Sequence, residues 1–186
     1  MLHAVRQRDP EAWRRLVHLF SPLIYDWCRQ QGVQPADAAD VTQDVFRAVM
    51  KGLDSFRRER LEDSFRGWLW TIARNKIRDF HRAQAARPGA SGGTDAWQMI
   101  QQIPEEEPPS QTSSSSLVSV SPLHRALEIV RSDFGENTWQ AFWRVTVENQ
   151  PAADVAGDLG VSVNAIRKAK ARVLRRLRGE FGDLLE

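Results

Sequence analysis

The segment from Pro151 to Arg178, PAADVAGDLGVSVNAIRKAKARVLRRLR, narrows the possible folds more than any other stretch of the chain. Two runs with helical spacing flank Gly160, the residue best suited to the positive φ of a tight interhelical turn. A helix-turn-helix needs a small residue where the helices cross, a permissive turn residue, and an apolar anchor on the second helix. Ala156, Gly160 and Ile166 meet these needs, and Val155, Leu159 and Val161 are expected to complete an apolar nest. Ser162 is placed to cap the second helix.

Rotating that second helix by about 100° per residue gathers Ile166, Ala169, Val173, Leu174, Leu177 and Phe181 on one stripe. Asn164, Lys168, Ala171, Arg172 and Arg175 point the other way, with Arg167 and Arg178 on the flank. Seven basic residues and no acid lie between Asn164 and Arg178. A solvated face ordinarily mixes signs, whereas a polyanion relieves repulsion along such a helix and releases counterions as its phosphates are neutralised. DNA is therefore the expected partner; a plain charged face and a helix lying on an acidic membrane are the other readings. Lys170 interrupts the apolar stripe, and it is expected to lay its methylenes along the core and snorkel outward.

Over 186 residues the net charge is only +2, so affinity for nucleic acid must come from local segregation of charge. Cys28 is the single cysteine, and His3, His18, His81 and His124 are scattered. Neither a disulfide, a zinc finger, a metal site nor a cofactor is expected from this set. No apolar run approaches the ~20 residues of a membrane span, and MLHAVRQRDPEAW lacks a secretory core, which makes the cytoplasm the expected location.

Taken in order, Asp9 to Gln31 reads as a helix, with Pro10 at its start and Trp13, Leu16, Val17, Phe20, Leu23, Ile24 and Trp27 as core. After Gly32 and Pro35 a second helix runs from Ala36 to Leu53, burying Val41, Val45, Ala48 and Val49. Its other side carries Asp37, Asp40, Gln43, Asp44, Arg47 and Lys51, a face that reads as segregated and not internally paired. That segregation suits a docking surface, and equally suits acids at a helix N-terminus and bases at its C-terminus. The loop FRRERLEDS leads into a helix from Phe65 to Arg82, with Phe65, Trp68, Leu69, Ile72, Ala73 and Phe80 on its apolar side. Thr71, Arg74, Asn75, Arg78 and Arg82 recur opposite, a basic face that suits single-stranded nucleic acid. Trp68 reads as structural, and Trp70 fits core or platform. Residues 87–122 hold a possible short helix at Thr94–Ile103 but are dominated by Pro, Gly and Ser, and read as a flexible linker. Helices at Leu123–Asp133 and Thr138–Glu148, with Trp139, Phe142, Trp143 and Val145 as core, then support the helix-turn-helix. The expected fold class is all-α, two small helical domains on a tether.

Three segments in this order, DAADVTQDVF with GLDSF, FRGWLWTIARNKIRDFHR, and DVAGDLGVSVNAIRKAKARVLRRLR, resemble the extracytoplasmic-function (ECF) group of bacterial sigma-70 family factors. The resemblance implies a promoter-recognition subunit of RNA polymerase and not an enzyme. Residues 1–86 would be sigma region 2, 87–122 the linker, and 123–186 sigma region 4. It implies that Asp40, Gln43, Asp44 and Arg47 dock on the β′ clamp helices, with the β flap as a second polymerase contact. Arg66, Trp70, Arg74, Asn75, Arg78 and Arg82 would meet the minus-10 element, Asn75 lining a pocket for a flipped base. Asn164, Arg167, Lys168, Ala171, Arg172, Arg175 and Arg176 would meet the minus-35 element in the major groove, with Arg175, Arg176 and Arg178 touching phosphates. Lys170, where relatives more often carry an apolar residue, and the long loop before Phe65 depart from the pattern.

Two other readings compete. A stand-alone helix-turn-helix regulator would bind duplex DNA without polymerase, usually through a dimerisation element that is not evident here. A recombinase or nuclease would need a nucleophile or metal cage, and no Walker-type loop or histidine cluster is present. The run QTSSSS admits phosphorylation by a Ser/Thr kinase, or a plain spacer. An anti-sigma factor is a further partner that the resemblance implies.

Overall fold

The computed structural model describes residues 1–57, 64–86, 103 and 121–185. All regular structure among them is helical: α1 (Leu2–Arg6), α2 (Pro10–Gln30), α3 (Pro35–Gly52), α4 (Phe65–Ala85), α5 (Pro122–Arg131), α6 (Glu136–Thr146), α7 (Ala152–Asp158) and α8 (Val163–Leu185). The chain forms two compact units, whose bodies run from Leu2 to Pro122 and from Leu123 to Asp183. Most of the linker, the short helix expected at Thr94–Ile103 except for Ile103 itself, and the run QTSSSS lie outside the described residues, as does the centre of the loop before α4.

In the N-terminal unit α2 begins as its sequence dictates. Asp9 accepts from the amides of Glu11 (2.8 Å) and Ala12 (3.1 Å), and Pro10 occupies the first turn, where its missing N–H costs nothing. Pro22 lies inside this helix yet does not end it. Leu16, Leu19, Phe20, Leu23, Ile24 and Trp27 are all buried around it, and that burial outweighs one lost backbone bond. Gly32, at φ 78, closes the helix with the Val33 amide donating back to Cys28, a left-handed cap.

α3 and α4 pack on α2, and T-shaped pairs join α2 to α4, Phe20 with Phe65 and Trp27 with Trp70, each with centroids 5.2 Å apart. α1 was not anticipated from the sequence. Val5 and Leu2 are buried, and the Arg6 guanidinium donates to the carbonyls of Leu53 (3.3 Å) and Phe56 (2.7 Å) beyond α3. The buried side of α3 is wider than Val41, Val45 and Val49 alone: Ala38, Thr42 and Phe46 join it, while Ala48 is half-buried. The Thr42 hydroxyl satisfies itself on the Ala38 carbonyl at 2.7 Å.

The C-terminal unit is built on the turn around Gly160. Gly160 adopts φ 64, and the Val161 amide reaches back to the Ala156 carbonyl at 3.0 Å, capping α7. Ser162 Oγ accepts from the Ala165 amide at 3.2 Å and opens α8. Ala141, Val155, Ala156 and Ile166 form the core at the helix crossing, with Val145, Ala152, Leu159 and Ala169 packed against it. Val161 is not part of that nest. At 39% exposure it lies outside, because the left-handed residue before it turns the chain away from the crossing. Arg144 braces the unit by donating to Gln150 Oε1 (2.7 Å) and Asp158 Oδ2 (2.5 Å), which ties α6 to both ends of α7.

Candidate nucleic-acid and polymerase interfaces

α8 shows the two faces that its periodicity demands. Ile166, Val173, Leu177 and Phe181 are buried, Ala169 and Leu174 are half-buried, and Lys170 is half-buried beside them, as expected of a side chain whose stem covers apolar surface. Asn164, Arg167, Lys168, Ala171, Arg172 and Arg175 are exposed on the outer side. Among the described residues, no carboxylate lies within ion-pair distance of Arg167, Lys168, Arg172 or Arg175. Arg176 differs: it pairs with Asp133 at 2.7 Å and with Glu180 at 2.5 Å.

α4 is capped by Ser64, whose Oγ accepts from the Gly67 amide at 3.0 Å. Its buried side is Phe65, Leu69, Trp70, Ala73, Ile77 and His81, turned from the expected stripe. Trp70 corrects the minus-10 set. Its indole is 1% exposed and stands edge-on to Trp27, so it belongs to the core and has no surface to offer a base. Trp68 is the more open ring, half-buried and tilted against Phe56 and Phe65. Ile72 and Phe80 sit at the margin, half-buried.

The residues missed on this helix were Ile77 and His81, whose spacing of four from Ala73 and then from Ile77 continues the stripe. His81 is 4% exposed, and its Nε2–H donates to the Gln31 carbonyl at 2.9 Å, tying α4 to the end of α2. Of the remaining members of the set, Asn75 and Arg82 are exposed, while Arg66, Arg74 and Arg78 are half-buried. Burial pulls the Arg66 guanidinium below its ordinary pKa.

On α3, Asp40, Gln43, Asp44 and Arg47 are all exposed on one side. The expectation that this face lacks internal pairing is corrected. Arg47 lies 2.5 Å from Asp44 and 3.5 Å from Gln43 Oε1, because i,i+3 and i,i+4 spacing brings a long side chain back over the preceding turn. Asp40 and Lys51 keep the ends of the face opposite in sign.

Among the described residues no helix is long and apolar enough to cross a membrane, and no group of three His, Cys, Asp or Glu side chains is placed to hold a metal ion.

Residues 16–87, which carry α2 to α4, match the family model described as Sigma-70 region 2. An RNA polymerase sigma factor of Alcaligenes xylosoxydans xylosoxydans, NccH, is 35% identical over 48% of this chain and 46% of its own length. CnrH, an RNA polymerase sigma factor of Cupriavidus metallidurans, is 26% identical over 91% of this chain and 86% of its own. ShbA, an ECF RNA polymerase sigma factor of Streptomyces griseus subsp. griseus, is 25% identical over 96% and 92%. Residues 16–87 are a sigma-70 region 2, and the relatives matched along the chain are RNA polymerase sigma factors of the ECF type. The relatives extend through both units, so the helix-turn-helix is part of the same protein type as region 2. A sigma factor is a specificity subunit and not an enzyme, and its working partner is core RNA polymerase. A solved structure titled "Structure of CnrH in complex with the cytosolic domain of CnrY" matches at 20% identity over 97% of this chain and 94% of that one. Its TM-score of 0.39 is too low to bear on how the units of this sigma factor are arranged.

Proposed function

We propose that this sigma factor reads the minus-35 element with α8 in the major groove and engages the opening minus-10 element with the outer face of α4. The observation that carries this reading is the acid-free basic face of α8 behind the left-handed turn at Gly160. Asn164, Arg167, Lys168, Ala171 and Arg172 occupy the first half of the helix, the part that enters the groove first in this motif. Arg175, one turn beyond Arg172, reaches phosphate. On α4, Asn75 meets a flipped base while Arg66, Arg74, Arg78 and Arg82 hold the backbone. Unstacking a base costs a few kcal/mol, so a pocket for one base makes strand opening depend on sequence.

The exposed face Asp40, Gln43, Asp44 and Arg47 is the docking surface for the β′ clamp helices. The β flap takes the C-terminal unit, where His124, Trp139 and Trp143 line a groove of about 550 Å³ between α5 and α6, rimmed by Arg131, Glu128 and Glu148. Residues 1–86 and 123–186 are then regions 2 and 4, with 87–122 as the tether. CnrH has been solved with the cytosolic domain of a second protein, CnrY, and an anti-sigma factor that masks these same surfaces is proposed here too. Polymerase and promoter lie in the cytoplasm, which is the location proposed for this chain.

Arg pairs two acceptors on guanine, so Arg172 is assigned a guanine in the minus-35 box. With holoenzyme on a library randomised through that box, Arg172→Ala should lose about 1–3 kcal/mol at one base pair and relax preference there alone. A uniform loss across all sequences would remove Arg172 from base reading.

A further inference from the structure

We infer that Arg176 is a positioning residue that lies outside the DNA footprint of α8. The inference rests on the proposed minus-35 reading of α8 and revises the role that the family resemblance gives to Arg176.

Arg176 lies four residues after Arg172, about 40° further round the helix, which turns it toward the segment that follows α5. There its Nε donates to Asp133 Oδ2 at 2.7 Å, across 43 residues of sequence, while its Nη1 lies 2.5 Å from Glu180 Oε2. Asp133 and Arg176 are about equally exposed, and Glu180 is the most enclosed of the three, its side chain only 10% exposed. One guanidinium thus serves two carboxylates.

Two consequences follow from the charges. To bind a phosphate, Arg176 would have to leave both carboxylates, one of them largely enclosed, and the phosphate would then approach the carboxylates that Arg176 had left. Arg175 and Arg172 have no such partner among the described residues, although they line the same cleft with Asp133, Phe134 and Gly179. The basic face therefore has an electrostatic edge on the side where Arg176 turns toward Asp133. Mechanically, the bridge from Asp133 to Arg176 fixes the rotation of α8 against the α5–α6 corner. Arg172, one turn earlier, inherits its direction from that constraint.

The salt dependence of binding separates this role from a phosphate contact, because each phosphate neutralised contributes on the order of 0.9 to the slope of log K against log salt. Holoenzyme formed from the full chain is titrated onto a promoter fragment over a series of salt concentrations. Arg175→Ala should flatten the slope by about one unit. Arg176→Ala should leave the slope unchanged while lowering the thermal midpoint of the free sigma factor. Asp133→Asn and Glu180→Gln, which keep the side-chain shape, release part of Arg176's charge and should steepen the slope and raise affinity for non-promoter duplex. A slope that flattens by about one unit in Arg176→Ala, or stays unchanged in both carboxylate variants, overturns the inference. If Arg175→Ala and Arg172→Ala also leave binding untouched, it is the minus-35 reading that fails.

Discussion

Trp68 and Trp70 stand two positions apart on one helix and meet different surroundings. Trp70 is enclosed against Trp27, so Trp70→Ala should cost about 3–5 kcal/mol in urea unfolding, and Trp68→Ala distinctly less. Equal and small losses would return Trp70 to the surface. Asp9 gives a pH signature. The amides of Ala12 and Glu11 hold its carboxyl below the ordinary value of 3.8, and a carboxyl depressed on folding stabilises above its unfolded pKa and loses that contribution as pH falls through the folded one. The gap in urea midpoint between the wild type and Asp9→Ala should be widest near neutrality and narrow as pH drops below about 3.8. A gap that is constant down through that range would count against the cap. Cys28 is fully buried, its thiol pushed up to about 12, so a thiol reagent should label the protein only after unfolding.

At the scale of elements, the sequence legibly encoded whatever depends on local chemistry. The start of α2 at Pro10, the left-handed Gly160 and the buried Ile166, Val173 and Leu177 follow from spacing and backbone preference alone. What it concealed depends on rotation and on distant partners. On α4 an apolar side of Trp68, Ile72 and Phe80 competes with one of Trp70, Ile77 and His81, and only packing against α2 and α3 decides between them. The pairing of Arg176 with Asp133 spans two elements, so no helical wheel reveals it. Gly160 offers a test of the turn. An added Cβ would meet nothing within 4 Å, so Gly160→Ala should cost about 1–2 kcal/mol through backbone strain alone. Gly52 is constrained differently, since a Cβ there would come 3.3 Å from the Trp68 ring. The glycine lets that tryptophan close over the end of α3.

For the whole molecule, charge segregation matters more than net charge. A chain of net charge +2 presents an acid-free cationic face on α8 and a mixed acidic and basic face on α3, each in its own compact unit. Such a molecule is suited to joining a machine through one surface and directing it with others, which is the work of a sigma factor. The most direct measurement is transcription from a promoter library by core polymerase with and without the purified chain, with start sites sequenced. The account predicts that the chain co-purifies with core and concentrates initiation at a small set of promoters sharing minus-35 and minus-10 boxes. Initiation as unselective as that of core alone would contradict it.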